Sequence, residues 1–187
     1  MIVRKPRADG QRNRELLVEA AKAGFAEAGP DVSLEEIARR AGVGIGTLYR
    51  HFPARDAIVE AVYRREVENF AQAGDRLAAT RAPGEALHEW MRLLVDYIAT
   101  KKVIAVALAS MVGDTTELYA SSGARVTDAM STMVARAAQA GDIRAEVDPA
   151  DILRALVGFT YGNESPGWEA SAKRLVDILM DGLRPRP

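Results

Sequence analysis

The sequence predicts an all-α fold, on three observations. Apolar residues recur at spacings of three and four along nearly all of the 187 residues, and no stretch alternates apolar with polar in the strand period. The composition is 48% hydrophobic but only 6% aromatic; with Ala and Leu abundant, this favours helices. Gly-Pro, Pro-Gly and Gly-Asp pairs (Gly29-Pro30, Pro83-Gly84, Gly113-Asp114) interrupt the pattern about every helix length or two.

Residues 12–28 form the first expected helix, with Leu16, Leu17, Ala20, Ala21, Gly24 and Phe25 on one side and Gly29-Pro30 as its stop. The second begins at Ser33, whose hydroxyl and the Glu36 carboxylate make a capping box. Leu34, Ile37, Ala38 and Ala41 are its buried stripe, and Gly42 ends it in a left-handed conformation that glycine adopts without steric cost. Val43 fills the turn. The third helix runs from about 45 to 51. Leu48 and Phe52, four apart, point inward and leave Thr47, Tyr49, Arg50 and His51 on other faces; Pro53 then disfavours helix at Phe52.

A longer helix over 54–72 follows, with Ile58, Val62 and Val67 inward. Asp56 in its first turn complements the helix dipole. Residues 85–100 carry Leu87, Trp90, Met91, Leu94 and Ile98 on one side, and 102–112 read as a separate short apolar helix. A helix over 116–140 is interrupted at Ser121-Ser122-Gly123. The next begins at Pro149, a favoured first-turn position, with Ile152, Leu156 and Phe159 in register. After a loop over 162–167, residues 168–183 close the chain with Ala172, Leu175, Val176, Leu179 and Leu183. The total is about nine helices.

Residues 33–55, SLEEIARRAGVGIGTLYRHFPAR, carry the most chemistry. A helix, a glycine-marked turn and a short helix bearing hydroxyl, phenol, guanidinium and imidazole groups make the layout of a DNA-reading helix-turn-helix, whose second helix enters the major groove. Charge distribution agrees. The net charge is −1, yet residues 1–65 hold 12 Lys/Arg against 9 Asp/Glu, while the remainder holds 13 against 17. Most of the basic excess lies in the first fourteen residues, where Arg4, Lys5, Arg7, Arg12 and Arg14 face only Asp9. Such an arm would lie along phosphates or enter the minor groove, or serve only as a solubilising tail.

The segment IARRAGVGIGTLYRHF (37–52), followed by PARDAIVEAV, resembles the DNA-binding domain of the TetR family of bacterial transcriptional regulators. With the preceding helix the resemblance covers roughly residues 10–65, and a weaker similarity runs through GDIRAEVDPADILRALVGFTYG (141–162). Gly44 stands where the family often has a serine cap, and Ala54 where Ser or Asn is usual. The resemblance implies a helix-turn-helix domain of three helices at 1–55 and a helical effector-binding and dimerisation domain at 56–187. By position, Ile45, Gly46 and Arg50 would face base edges. Thr47 and Tyr49 would bond phosphates or base edges, and His51 and Arg55 would grip the backbone. It also implies a homodimer through the last two helices and a cavity for a small, hydrophobic effector. Trp90, Leu94, Tyr97, Leu108, Met111, Tyr119, Met130, Met133 and Phe159 are candidates for its wall, because Met and aromatic side chains line adaptable pockets. The implied activity is repression at a pseudo-palindromic DNA operator, relieved by effector.

Other classes have thin support. There is no cysteine, so disulfide and thiolate chemistry are excluded. His51 and His88 are the only histidines, and His88-Glu89 lacks the second histidine of a zinc helix. No nucleophile elbow, phosphate loop or dinucleotide fingerprint is present, so neither catalysis nor a metal or other cofactor is expected. No apolar run approaches the roughly 18 residues of a membrane span, and the N-terminus lacks the apolar run of a signal peptide. A cytoplasmic location without membrane association is therefore expected. The alternative from another class is an all-α protein-interaction adaptor without DNA binding.

Overall fold

A computed structural model describes residues 6–109, 116–162 and 165–185. Among these residues there are eight helices and no strands: α1 (Pro6–Ala28), α2 (Leu34–Arg40), α3 (Ile45–His51), α4 (Arg55–Thr80), α5 (Pro83–Ala109), α6 (Thr116–Gln139), α7 (Pro149–Tyr161) and α8 (Trp168–Leu183). They group into two compact units. One takes its described residues from Met1–Glu66 and Thr100–Gly113, the other from Val67–Ala99 and Asp114–Pro187, so α4 and α5 contribute to both.

In the first unit α1 packs on α2 and α3. Leu17, Ala21, Phe25, Ile37, Leu48, Phe52 and Ile58 are at most 1% exposed and form its core. In the second, Leu87, Trp90, Met91 and Leu94 of α5 are buried, as are Met130, Met133 and Val134 of α6, Ile152 and Leu156 of α7, and Ala172, Val176 and Met180 of α8. The Asp148 carboxylate caps α7 by accepting from Ala150 N at 2.8 Å, with Pro149 at the start of the helix. The Asp142 carboxylate accepts from Gly84 N at 2.8 Å and pins the α6–α7 turn to the start of α5.

Three expectations are corrected. Residues 83–109 are one helix rather than two, which accounts for eight helices in place of about nine. Thr100, Lys101 and Lys102 interrupt the apolar stripe, but nothing there breaks a backbone, and lysine is a good helix former. α6 runs unbroken through Ser121-Ser122-Gly123; one mid-helix glycine costs only about 1 kcal/mol relative to Ala. α1 begins at Pro6, a residue suited to a first helical turn. The helix therefore takes in residues 6–11, which the expected helix over 12–28 left to the arm, and Arg12 and Arg14 ride on it as expected. Arg4 and Lys5 lie outside the described residues, as do Met111 and the Gly113-Asp114 break; so does the side chain of Tyr119. No helix among the described residues is long and apolar enough to cross a membrane.

Candidate nucleic-acid interface

The interface is built on α2. Ser33 Oγ accepts from Glu36 N at 3.1 Å, the forward half of the expected capping box. The Glu36 carboxylate is taken up instead by Arg39, through two contacts of 2.7 Å, and by Arg40 at 2.7 Å. These hydrogen bonds lower its pKa from 4.5 to about 2. A carboxylate depressed in this way favours the folded state fully above pH 4.5 and loses that contribution as pH falls toward 2. Arg40 also reaches Glu27 on α1 at 2.6 Å, tying the two helices.

The turn follows from hydrogen-bond accounting. Gly42 has φ +67°; its N–H donates to Arg39 O at 3.1 Å, and Val43 N–H donates to Ala38 O at 3.1 Å. These are the paired bonds of a Schellman motif, which satisfy carbonyls left open at a helix end. Gly44 then adopts an extended conformation as the N-cap of α3, without a side-chain cap bond. Its carbonyl accepts from Thr47 N at 2.8 Å and Leu48 N at 3.2 Å.

α3 is thereby set with one face in and one face out. Leu48 and Phe52 are 0% and 1% exposed, whereas Ile45 and Tyr49 are 37% and 46% exposed. Gly46 and Arg50 are exposed beside them; Thr47 and His51 are half-buried. A Cβ built at Gly46 meets nothing within 4 Å, so the fold does not require glycine there. The N-terminal half of α1 flanks the end of α3. The Arg14 guanidinium lies over the Phe52 ring at 5.1 Å, and a Cβ on Gly10 would sit 3.8 Å from His51 Cε1.

The cations on α1–α4 of this unit sort into three groups. Lys22 pairs with Glu66, Arg64 with Glu60 and Arg65 with Glu19, at 2.7 to 2.8 Å, and Arg39 and Arg40 hold Glu36. Among the described residues Arg12, Arg14 and Arg50 have no carboxylate partner. Sequence reasoning missed this sorting, because pairing across helices depends on packing. Arg55 forms a third group: its guanidinium donates to the backbone carbonyls of Val32, at 2.7 Å, and Pro30.

The candidate effector residues divide. Trp90, Leu94, Tyr97, Met130 and Met133 are all buried in the second unit. Phe70, which the periodicity reading overlooked although it stands eight residues beyond Val62, stacks on Tyr97 at 4.9 Å and lies 4.7 Å from Trp90. A Cβ at Gly74 would sit 3.0 Å from Trp90 Nε1 and 3.6 Å from Met133 Cε, so these two converge on α4. Leu108 is buried in the first unit and Phe159 is half-buried on α7. A surface cleft of about 290 Å³ lies elsewhere, lined by Arg144, Val147, Asp148, Ile152, Leu179 and neighbours, and contains none of the candidates.

Comparison with known proteins matches this architecture. Residues 17–62 match the family model described as bacterial regulatory proteins, tetR family. Residues 82–185 match that described as transcriptional regulator SbtR-like, C-terminal domain. The crystal structure of a TetR transcriptional regulator from Streptomyces coelicolor is 38% identical with a TM-score of 0.79, the match covering 93% of this chain and 99% of that one. A TetR transcription regulatory protein from Mycobacterium vanbaalenii is 36% identical with a TM-score of 0.81, over 97% and 100%. Among curated proteins, an HTH-type transcriptional regulator of Staphylococcus aureus strain MRSA252 is 34% identical over 79 residues, 40% of this chain and 41% of that protein. Another, from strain USA300, is 30% identical over 103 residues, 54% of each. The matched region thus spans about half the length of these curated relatives or less. With both domain models matched in order, and solved relatives matched over nearly their full length, the chain belongs to the TetR family of DNA-binding transcriptional regulators.

Proposed function

We propose that this chain is a repressor that binds a pseudo-palindromic operator as a homodimer and leaves it when a small, hydrophobic effector binds the second unit. The observation that carries the proposal is the outward face of α3, where Ile45, Gly46, Tyr49 and Arg50 stand exposed over a buried Leu48 and Phe52. In the major groove Ile45 packs on a thymine methyl, Gly46 lets the backbone approach the bases, and Arg50 forks onto guanine O6 and N7. Thr47, Tyr49 and His51 bond phosphates and fix register. Arg12 and Arg14, free of carboxylates, widen the cationic surface.

Support for the dimer comes from the last two helices. Val157 and Tyr161 on α7 and Leu175 and Ile178 on α8 are 39% to 66% exposed, an apolar face of the kind that marks an interface. Two-fold pairing there would present two recognition helices to half-sites about one helical turn apart. For the effector, the supporting feature is the buried aromatic group of Phe70, Trp90 and Tyr97 with Met130 and Met133. Phe70 belongs to α4, the helix that begins beside α3. Effector binding would favour one setting of α4 over another, and DNA and effector would compete through unequal affinity for the two. Such coupling is typically about 1–3 kcal/mol, or about 5–150-fold in affinity, and is reciprocal. A repressor acting on the chromosome places the protein in the cytoplasm.

The experiment is a binding profile over single base-pair variants of the operator, which is first isolated by letting the wild-type chain select from a randomised duplex library. Arg50→Ala is expected to cost about 1–3 kcal/mol at one base pair of each half-site and to relax preference there. Equal weakening on every variant would remove Arg50 as a base reader.

A further inference from the structure

Arg55 stands at the first residue of α4, half-buried, and its side chain is engaged by the protein's own backbone. One guanidinium nitrogen donates to Val32 O at 2.7 Å and the other terminal nitrogen to Pro30 O. The cation also lies 5.8 Å from the centre of the Phe25 ring, and Phe25 is 1% exposed. The carbonyls belong to the link between α1 and α2, which Gly29 enters at φ +80°. That link ends at Ser33, the cap of α2. Val32 itself is wedged against α1, where a Cβ on Gly24 would sit 3.3 Å from both of its methyl groups.

We infer that Arg55 is a positioning residue, a clamp that fixes the helix-turn-helix to the first turn of α4, and not a ligand for DNA phosphate. The covalent chain joins α3 to α4 through residues 52–54. The clamp joins the other end of the same segment, at residues 30 and 32, to the same turn of α4. Residues 30–55 are thereby closed into a ring, and α3 is held relative to α4 from both sides. The planar fork of arginine meets two carbonyls two residues apart; lysine, a single compact ammonium on a flexible stem, keeps the charge but not the fork. A phosphate ligand and a clamp therefore respond oppositely to the conservative change.

The test uses the full chain with Arg55→Lys and Arg55→Gln. Binding is measured between 50 and 200 mM salt to two probes, the duplex selected by the wild-type chain and an alternating dA–dT duplex. A clamp predicts that both variants lose about tenfold or more on the selected duplex, the equivalent of one charged hydrogen bond. On the dA–dT duplex the salt slope stays at the wild-type value, and amide exchange over residues 29–40 quickens in both. Wild-type binding by Arg55→Lys overturns the proposal. So does a slope shallower by about 0.9, one phosphate's worth, for Arg55→Gln on both duplexes. So too does an unchanged ratio of selected to dA–dT affinity in a variant that has merely lost thermal stability. Should Arg55→Gln fail to fold, Arg55→Lys decides alone: restored binding contradicts the clamp, and lost selectivity supports it.

Discussion

At the scale of single residues, Gly44 is the point where this helix-turn-helix departs from an optimised one. It caps α3 with an extended backbone and no side-chain bond, and a Cβ built there meets nothing within 4 Å. Gly44→Ser should therefore be accommodated without strain and should raise stability by a few tenths of a kcal/mol through a hydroxyl bond to the first turn. Urea unfolding measures this; a lowered midpoint at equal slope would mean that the backbone at 44 is not the open N-cap described. Local chemistry of this kind was legible in the sequence. Ser33 and Gly42 behave as their types require, because each acts within five residues of itself, and Leu48 and Phe52 are buried as their four-residue spacing requires. Arg55 and Glu36 were less legible. A carbonyl acceptor leaves no mark in a sequence, and a carboxylate beside two arginines has competing partners that only geometry ranks.

At the scale of elements, the helices were predictable where a glycine or proline stops them and less so where polarity alone changes. The ends of α8 at 168 and 183 agree with the expectation because Gly167 and the apolar register define them. The expected break at residues 100–102 is absent because Thr100, Lys101 and Lys102 interrupt the apolar stripe without any backbone penalty. Similarly, α4 extends to Thr80 where the expected helix stops at 72; Phe70 lies within both, and its place in the aromatic group depends on packing against α5. The proposed dimer belongs to this scale. Ile178 is 66% exposed on α8, so Ile178→Glu should leave the protomer's stability within about 0.5 kcal/mol. In a pairing face the same change places an unpaired charge under apolar cover. Sedimentation at micromolar concentration should find a dimer for the wild-type chain and a monomer for Ile178→Glu. A wild-type monomer, or a dimer unaffected by the substitution, would contradict the α7–α8 interface.

At the scale of the whole molecule, the two compact units share α4 and α5, and the proposed function gives them separate tasks. The first would read DNA with the exposed face of α3; the second holds an apolar interior and an exposed apolar face. What the chain touches was legible from one local motif. What it responds to was not, since aromatic and Met residues of a core and of a pocket look alike in sequence. Whether the outward face of α3 reads DNA is decided by salt-dependent binding of the wild-type chain and Tyr49→Ala to the library-selected duplex. The expected result is selection of a palindromic duplex bound about 10³-fold or more over random sequence, with affinity falling steeply from 50 to 200 mM salt and at least about tenfold weaker in Tyr49→Ala. Failure to enrich any duplex, or equal binding by Tyr49→Ala, would contradict it.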